Sequence, residues 1–176
     1  MNPVLENILS RRSFRSFTSQ PIEQQQLQDI LTAGTYAPSG KNSQTRRFTV
    51  LRTPQVIRQL EEAMAAALAT AQGRTSYNMF HPVALVLVSD QPNNPNAAFD
   101  CACALENMFL QAHSLGIGSC WINQMQYVYK DSAIRKLLDA FGIPEDHYVY
   151  GIASMGFPSS PAANMDKSQQ VIHFVD

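Results

Sequence analysis

The sequence contains few charged residues, few cysteines and no long apolar segment. Charged side chains make up 15% of its 176 residues and hydrophobic residues make up 45%, whereas a typical domain is about 25% charged. Intrinsic disorder is excluded because it requires low hydrophobicity and a high charge content. So little charge on so much apolar material indicates that part of the surface is hidden in an oligomer or beneath a ligand.

The chain also lacks the segments that would direct it to a membrane or a secretory route. Its longest fully apolar runs, such as residues 82–88, are far shorter than the ~20 residues that span a bilayer. Residues 1–11 do not have the apolar run after basic residues that marks a secretory leader. Three cysteines cannot all pair as disulfides. We therefore expect a soluble protein of the reducing cytoplasm that does not bind membranes.

The charge balance argues against a nucleic-acid partner. The formal net charge is −1, whereas nucleic-acid binders carry a broadly basic surface. The charges are unevenly distributed, since residues 1–60 hold eight of the thirteen basic residues and three of the fourteen acidic ones. This local positive excess favours one small anionic ligand over a long polyanion.

The order of predicted elements indicates a single α+β domain spanning residues 1–176. Capping signals and apolar spacing predict helices at 3–10, 22–34, 54–72, 97–115 and 131–141, and strands at 48–51, 83–88, 116–122 and 148–155. Residues 171–175 are predicted to add a strand, on their own subunit or on a neighbour. The apolar composition of helix 97–115 predicts that it is almost wholly buried. Helices and strands alternate too irregularly for a doubly wound parallel sheet.

Two familiar kinds of site are excluded by residue spacing. The stretch from Gly34 to Lys41 differs from a phosphate-binding loop because five residues separate its glycines and Asn42 follows the lysine. Cys101 and Cys103 would point about 200° apart on a helix and cannot chelate one metal ion together. No sequence signal places a base beside Cys120. We therefore interpret all three cysteines as buried small hydrophobic residues.

Two segments have the residue types that bind a phosphorylated heterocycle. Arg11, Arg12 and Arg15, interleaved with serines, can form bidentate, charge-assisted hydrogen bonds to phosphate. The loop at residues 39–44 offers amide and hydroxyl groups that can contact the edge of a planar ring. Each segment taken alone also fits an ordinary solvated surface or turn.

Taken together and in order, five segments resemble the FMN-dependent nitroreductase family, and the resemblance covers nearly the whole chain. They are SRRSFRSF at 10–17, APSGKNSQ at 37–44, FHPV at 80–83, LGIGSCWI at 115–122 and GIASMGFP at 151–158. The resemblance implies an α+β fold with a central antiparallel or mixed sheet flanked by helices. It also implies an intertwined homodimer with two FMN molecules, each bound between the subunits.

The resemblance also assigns roles to particular residues. It implies that Arg11 and Arg15 contact the phosphate or the ring edge, and that Arg12 and Ser13 contact the phosphate and the ribityl chain. The second subunit would line the flavin with Pro38, Ser39, Gly40, Asn42 and Gln44. The segment Trp121, Ile122 and Asn123 would lie over the ring and donate a backbone N–H to its reactive nitrogen.

Near the C-terminus the sequence departs from the family pattern. Lys167-Ser168-Gln169 stands where the family often has a Lys-Ser-Arg-like element that holds the phosphate. One phosphate cation is therefore missing, and Lys167 is the candidate that remains. Arg46 and Arg47 are alternatives, because Thr45-Arg46-Arg47 replaces the Pro-Trp pair that usually follows Gln44.

The implied activity is transfer of a hydride from NAD(P)H through FMN to a nitroaromatic, a quinone or a similar conjugated acceptor, with ping-pong kinetics. The flavin carries the chemistry, so no catalytic side chain and no metal are required. Three alternatives remain open. They are a flavin reductase or another flavin-dependent reductase, dehalogenase or dehydrogenase; a catalytically silent FMN-binding sensor; and a structural dimer without a cofactor.

Overall fold

Four antiparallel strands form one sheet in the computed structural model, which describes residues 1–162 and 171–175. The strands are β1 (Arg47–Leu51), β2 (Ala84–Asp90), β3 (Gly118–Ile122) and β4 (Tyr148–Gly156), in the spatial order β1-β2-β4-β3. Each predicted strand between residues 48 and 155 is confirmed within a few residues at its ends. The antiparallel pairing confirms the α+β fold.

The described part of the chain has five α-helices, of which four flank this sheet and the first lies against the fourth. They are α1 (Pro3–Ser10), α2 (Gln24–Thr35), α3 (Pro54–Gln72), α4 (Ala97–Ser114) and α5 (Ser132–Ala140). Side-chain caps mark the starts of α1 and α5. The side chain of Asn2 accepts the Leu5 N–H at 3.0 Å, and that of Asp131 accepts the Ala133 N–H at 2.8 Å. All five predicted helices are confirmed.

The core has two layers, one on each face of the sheet. On one face, α3 and α5 pack against Leu85 and Leu87 of β2. On the other face, α2 and α4 pack against Val86 and Val88. Alternate side chains of a strand point to opposite faces, so every residue of β2 is buried, as its continuous apolar sequence predicts.

Two predictions about burial are wrong for the single chain, and one about strand pairing holds only if a second subunit takes part. Helix α4 has an exposed side, where Phe99 is 71% exposed, because the sheet and α2 cover only the opposite side. Cys103 lies on that side and is exposed, while Cys101 and Cys120 are buried. The strand predicted at residues 171–175 does not form within the single chain, where their four large apolar side chains are 79–91% exposed, and its pairing with a neighbouring subunit stays a prediction.

Lys167, the candidate phosphate ligand near the C-terminus, lies outside the described ranges, so the structure does not place it. Within the described ranges, none of the helices has the length and apolar character needed to cross a bilayer.

Candidate functional site

The arginine segment, residues 10–17, lies along the β3 edge of the sheet. The Phe14 N–H donates to the Ser119 carbonyl at 2.9 Å, and Ser13 pairs with Ser119 in a parallel bridge. Phe17 forms a second bridge, with Pro158 beyond the end of β4. Backbone pairing therefore holds residues 13–17 beside β3. Residues 121–123, which the family resemblance predicts to lie over a flavin ring, are at the end of the same strand.

Two glycines make room for this segment. Gly118 and Gly156 are partners in the β3–β4 register. A Cβ atom at Gly118 would lie 2.9 Å from Phe14 Cγ, and one at Gly156 would lie 2.8 Å from Phe17 Cβ. Both distances are shorter than carbon atoms tolerate. Only glycine at these positions lets the two phenyl rings pack against the strands.

The donors of the segment fit a phosphate group. Arg15 lies over the Phe80 ring, 5.9 Å from its centroid, and forms no ion pair within the described residues. Arg12 uses Nη1 for the carbonyls of Leu9 and Arg11, at 2.6 and 2.7 Å, which leaves Nη2 and Nε for a ligand. Arg11 shares one ion pair with Glu106 at 3.5 Å. Within the part of the chain that the structure describes, these three guanidinium groups have one ion-pair partner, so the segment keeps a net positive charge.

The polar loop at residues 37–44 adopts a strained backbone. Its short 3₁₀ turn covers Gly40–Asn42. Lys41, Asn42 and Gln44 have φ values of 54°, 54° and 52°, in the left-handed region that residues other than glycine rarely adopt. Such strain persists only where the surroundings hold the backbone in place.

Contacts from Asp100 and Arg46 hold this loop against the start of α4. The Gly40 N–H donates to both carboxylate oxygens of Asp100, at 3.0 and 3.2 Å. The Arg46 guanidinium donates to the carbonyls of Ala37, Pro38 and Asp100 at 2.7, 3.0 and 2.8 Å. Arg46 is therefore directed at backbone carbonyls, while Arg47 is exposed at the start of β1.

Sequence reasoning missed the role of Asp100. It lies 60 positions from its partner Gly40, and nothing in the local sequence connects the two residues. The contact exists only because the fold brings the start of α4 beneath the loop.

The third predicted segment ends β3. Trp121 is 38% exposed and its ring lies 6.3 Å from that of Phe109, Ile122 is buried, and Asn123 is exposed. A cavity of about 320 Å³ opens beside this segment. Four aromatic residues line it, Trp121, Tyr129, Tyr148 and Tyr150. The rest of its wall is formed by the amides of Asn123 and Gln126 and by Ala98 and Val149. Among the described residues, no charged side chain forms part of the wall of this cavity.

Within one chain the arginine segment and the loop contact different sides of α4. The arginine segment meets exposed Glu106, and the loop meets buried Asp100. Six residues of helix separate these contacts by about 9 Å along the axis. The cavities of about 500 and 450 Å³ elsewhere on the molecule are lined by residues of neither 11–15 nor 37–44.

The buried thiols are unsuited to nucleophilic chemistry. Burial raises the pKa of Cys101 to about 12. Burial also raises the pKa of Cys120, although the guanidinium groups of Arg15 and Arg11 act in the opposite direction. Both thiols are protonated near neutral pH, and a thiol is a far weaker nucleophile than a thiolate.

A histidine beside the arginine segment should make stability depend on pH. His113 Nε2 lies 2.9 Å from Ser10 Oγ. Burial lowers the pKa of His113 most, and the positive charges of Arg11 and Arg12 lower it further. The unfolded chain therefore binds a proton more readily, so the free energy of unfolding should decrease as the pH falls below about 6.5. His113→Gln should flatten this decrease in urea titrations at pH 5 to 8. Exposed His173→Gln is the matched control, and an unchanged slope in H113Q would contradict the prediction.

Comparisons with known proteins identify the family of this chain. A model of the nitroreductase family matches residues 8–157. A crystal structure of a nitroreductase with bound FMN from Bacteroides fragilis is 37% identical, with a TM-score of 0.95 and 100% of both chains covered. An Archaeoglobus fulgidus protein named as an NADH dehydrogenase/NAD(P)H nitroreductase is 31% identical over 90% of this chain and 87% of its own. A Vibrio harveyi NADPH-flavin oxidoreductase is 26% identical over 90% of this chain and 67% of its own.

Proposed function

Because the chain belongs to the nitroreductase family, we propose that it is an FMN-dependent oxidoreductase that transfers electrons from NAD(P)H to a conjugated acceptor. The main support comes from the positively charged segment held beside β3, where Arg15 has no ion-pair partner within the described residues. The solved Bacteroides fragilis relative, which is similar along its whole length, binds FMN.

The proposed cofactor site combines two subunits. Arg11, Arg12, Ser13 and Arg15 of one subunit bind the phosphate, the ribityl chain and the ring edge. The partner's loop contributes Pro38, Ser39, Gly40, Asn42 and Gln44, and the ring lies against Trp121, Ile122 and Asn123. Lys167 is proposed as a further phosphate ligand. Two subunits are needed in this proposal because the two segments meet different sides of α4 within one chain.

Exposed apolar side chains support a homodimer. Val4, Leu5, Ile8 and Leu9 of α1 are exposed, as are Phe99 of α4 and the apolar residues at 171–175. Monomeric proteins rarely leave so many large apolar side chains in water. We propose that a second copy of the chain covers these surfaces.

When bound, FMN would accept a hydride from NAD(P)H and return two electrons to the acceptor in a second half-reaction. Each cycle would oxidise one NAD(P)H and convert a nitro group and a proton to a nitroso group and water, or a quinone and a proton to a hydroquinone. The side chains of this protein then need only bind and orient FMN, NAD(P)H and the acceptor, and exclude water.

The neutral cavity beside Trp121 favours an uncharged aromatic acceptor. Its wall combines aromatic rings, which stack on planar molecules, with the amides of Asn123 and Gln126, which can hydrogen-bond to nitro or carbonyl oxygens. A charged acceptor would lose its hydration there without gaining an ion pair.

The test is the visible absorption spectrum of the purified protein, recorded before and after anaerobic addition of NADH or NADPH. We expect a yellow protein that bleaches with at least one nicotinamide and recovers its colour with a quinone or a nitroaromatic. Initial rates at several fixed acceptor concentrations should give parallel double-reciprocal lines. A colourless protein that takes up no FMN would contradict the proposal, and a yellow protein that neither nicotinamide bleaches would indicate a sensor.

A flavin reductase is the second candidate, favoured by the similarity to the Vibrio harveyi flavin oxidoreductase. In that case free FMN would be the acceptor. Oxidation of NAD(P)H should then be faster with excess FMN than with any quinone or nitroaromatic tested.

A further inference from the structure

We propose that Arg46 and Asp100 form a clamp that positions the flavin-lining loop, so that Arg46 supports cofactor binding without contacting the cofactor. The proposal rests on the proposed function in that it takes residues 38–44 to line a flavin. It differs from the expectation that Arg46 substitutes for the missing phosphate cation.

The geometry of Arg46 suits a structural role in the loop. Its two terminal nitrogens donate three hydrogen bonds, to the carbonyls of Ala37, Pro38 and Asp100. A guanidinium group holds donors on three nitrogens in a rigid planar fork, whereas the three donors of lysine share one rotating nitrogen and cannot span acceptors that lie apart. Arg46 therefore joins the first residues of the loop to the backbone of α4.

Asp100 completes the clamp from the opposite direction. Asp100 is buried, with 5% of its surface exposed, and its carboxylate accepts the Gly40 N–H. Its backbone carbonyl accepts from Arg46. The same residue thus binds the loop through both its side chain and its main chain. A carboxylate in the first turn of a helix is also stabilised by the helix dipole.

The far end of the loop has its own attachment. The Thr45 hydroxyl and the Asn94 amide each donate to Asp90 Oδ2 at 3.0 Å, and Asp90 is fully buried. Between this attachment and the clamp lie Lys41, Asn42 and Gln44, the three residues of this loop with positive φ. Without the clamp, these residues would relax towards commoner backbone conformations. A flavin would then have to order the loop on binding, which lowers affinity.

Comparing two flavins separates this role from a phosphate contact. Arg46→Gln should weaken FMN and riboflavin binding by the same factor, roughly ten- to hundredfold, because riboflavin has no phosphate. Arg46→Lys should show nearly the same loss, because it keeps the charge but not the fork. Affinities are measured by flavin fluorescence titration of apoprotein. Arg58→Gln, which removes an exposed charge on α3, is the matched control and should bind both flavins like the unmodified protein.

A second readout tests the clamp without any flavin. Backbone amides of residues 38–44 in the apoprotein should exchange with deuterium faster in R46Q than in R58Q, while exchange in β2 stays the same. If R46Q does not fold, Asp100→Ala, which retains the backbone carbonyl but removes the acceptor of the Gly40 N–H, takes its place and should show the same local increase in exchange.

Three results would overturn the proposal. Weaker binding of FMN with riboflavin unchanged would make Arg46 a phosphate ligand. Full recovery of affinity in R46K would show that only the charge matters, and unchanged exchange at 38–44 would show that the loop holds its shape without the clamp. If the unmodified protein binds no flavin, the proposed function fails, whereas the exchange experiment still decides whether Arg46 holds the loop.

Discussion

Replacing Arg11 and Ser13 together by alanine should weaken FMN binding by about a hundred- to ten-thousandfold and leave the chain folded. Each charge-assisted hydrogen bond contributes roughly 1.5–3 kcal/mol, and about 1.4 kcal/mol corresponds to a tenfold change in affinity. The only ion pair lost among the described residues joins Arg11 to partly exposed Glu106, and such surface pairs contribute at most about 1 kcal/mol to stability. The measurement is a titration of apoprotein with FMN and riboflavin.

The chain offers its own probe and control for that measurement. Trp121 is the only tryptophan and lies in the segment proposed to cover the ring, so quenching of its fluorescence should follow binding. Arg58→Ala with Ser76→Ala makes an equal change at two exposed positions and should bind FMN normally. An unchanged FMN affinity in the Arg11/Ser13 variant, or an equal loss for riboflavin, would refute the phosphate role.

Gly118→Val should destabilise the protein and weaken FMN binding at the same time. A Cβ at this position would meet Phe14 Cγ and Pro158 Cγ at 2.9 Å and Phe14 Cβ at 3.0 Å, so the strand and the arginine segment must separate. Overpacking of this kind costs about 1–3 kcal/mol. Because the Phe14 N–H pairs with Ser119, displacement of Phe14 also displaces Ser13 and Arg15. Urea unfolding of the apoprotein and FMN titration measure the two effects.

Thr49→Val is the matched control for this substitution. It introduces the same side chain into β1, at a partly exposed position far from the arginine segment. It should change neither the free energy of unfolding nor the FMN affinity much. Lower stability with normal FMN affinity in G118V would show that the phosphate donors keep their place without the β3 contact. Normal values of both would show that Phe14 can move aside at little cost.

Local chemistry made most of the secondary structure predictable. Asn2 with Pro3, and Pro54, are start signals that act within a few residues, and the helices begin where these signals lie. The continuous apolar run at 83–88 predicts a strand covered on both faces, and α-helices do cover both faces of β2. Such signals can be read from the sequence because the interacting groups are sequence neighbours.

Burial and function at single positions were less predictable because they depend on distant groups. Cys101 and Cys103 are two residues apart, yet one is buried and the other exposed, since α2 and the sheet cover one side of α4. Four of the five residues at 171–175 are large and apolar, but among the described residues no strand of the same chain pairs with them.

By itself the sequence determined the elements of this protein, its family and the segments that could hold a flavin, because capping, periodicity and motif order are local or sequential properties. The tertiary structure decided the role of Arg46. In the sequence, Arg46 is a cation that could bind a phosphate. In the fold, its guanidinium group is surrounded by the carbonyls of Ala37, Pro38 and Asp100. It also decided why Gly118 must be a glycine, because Phe14 lies against it only once the chain has folded. In both cases the deciding atoms come from residues that only the folded chain brings together.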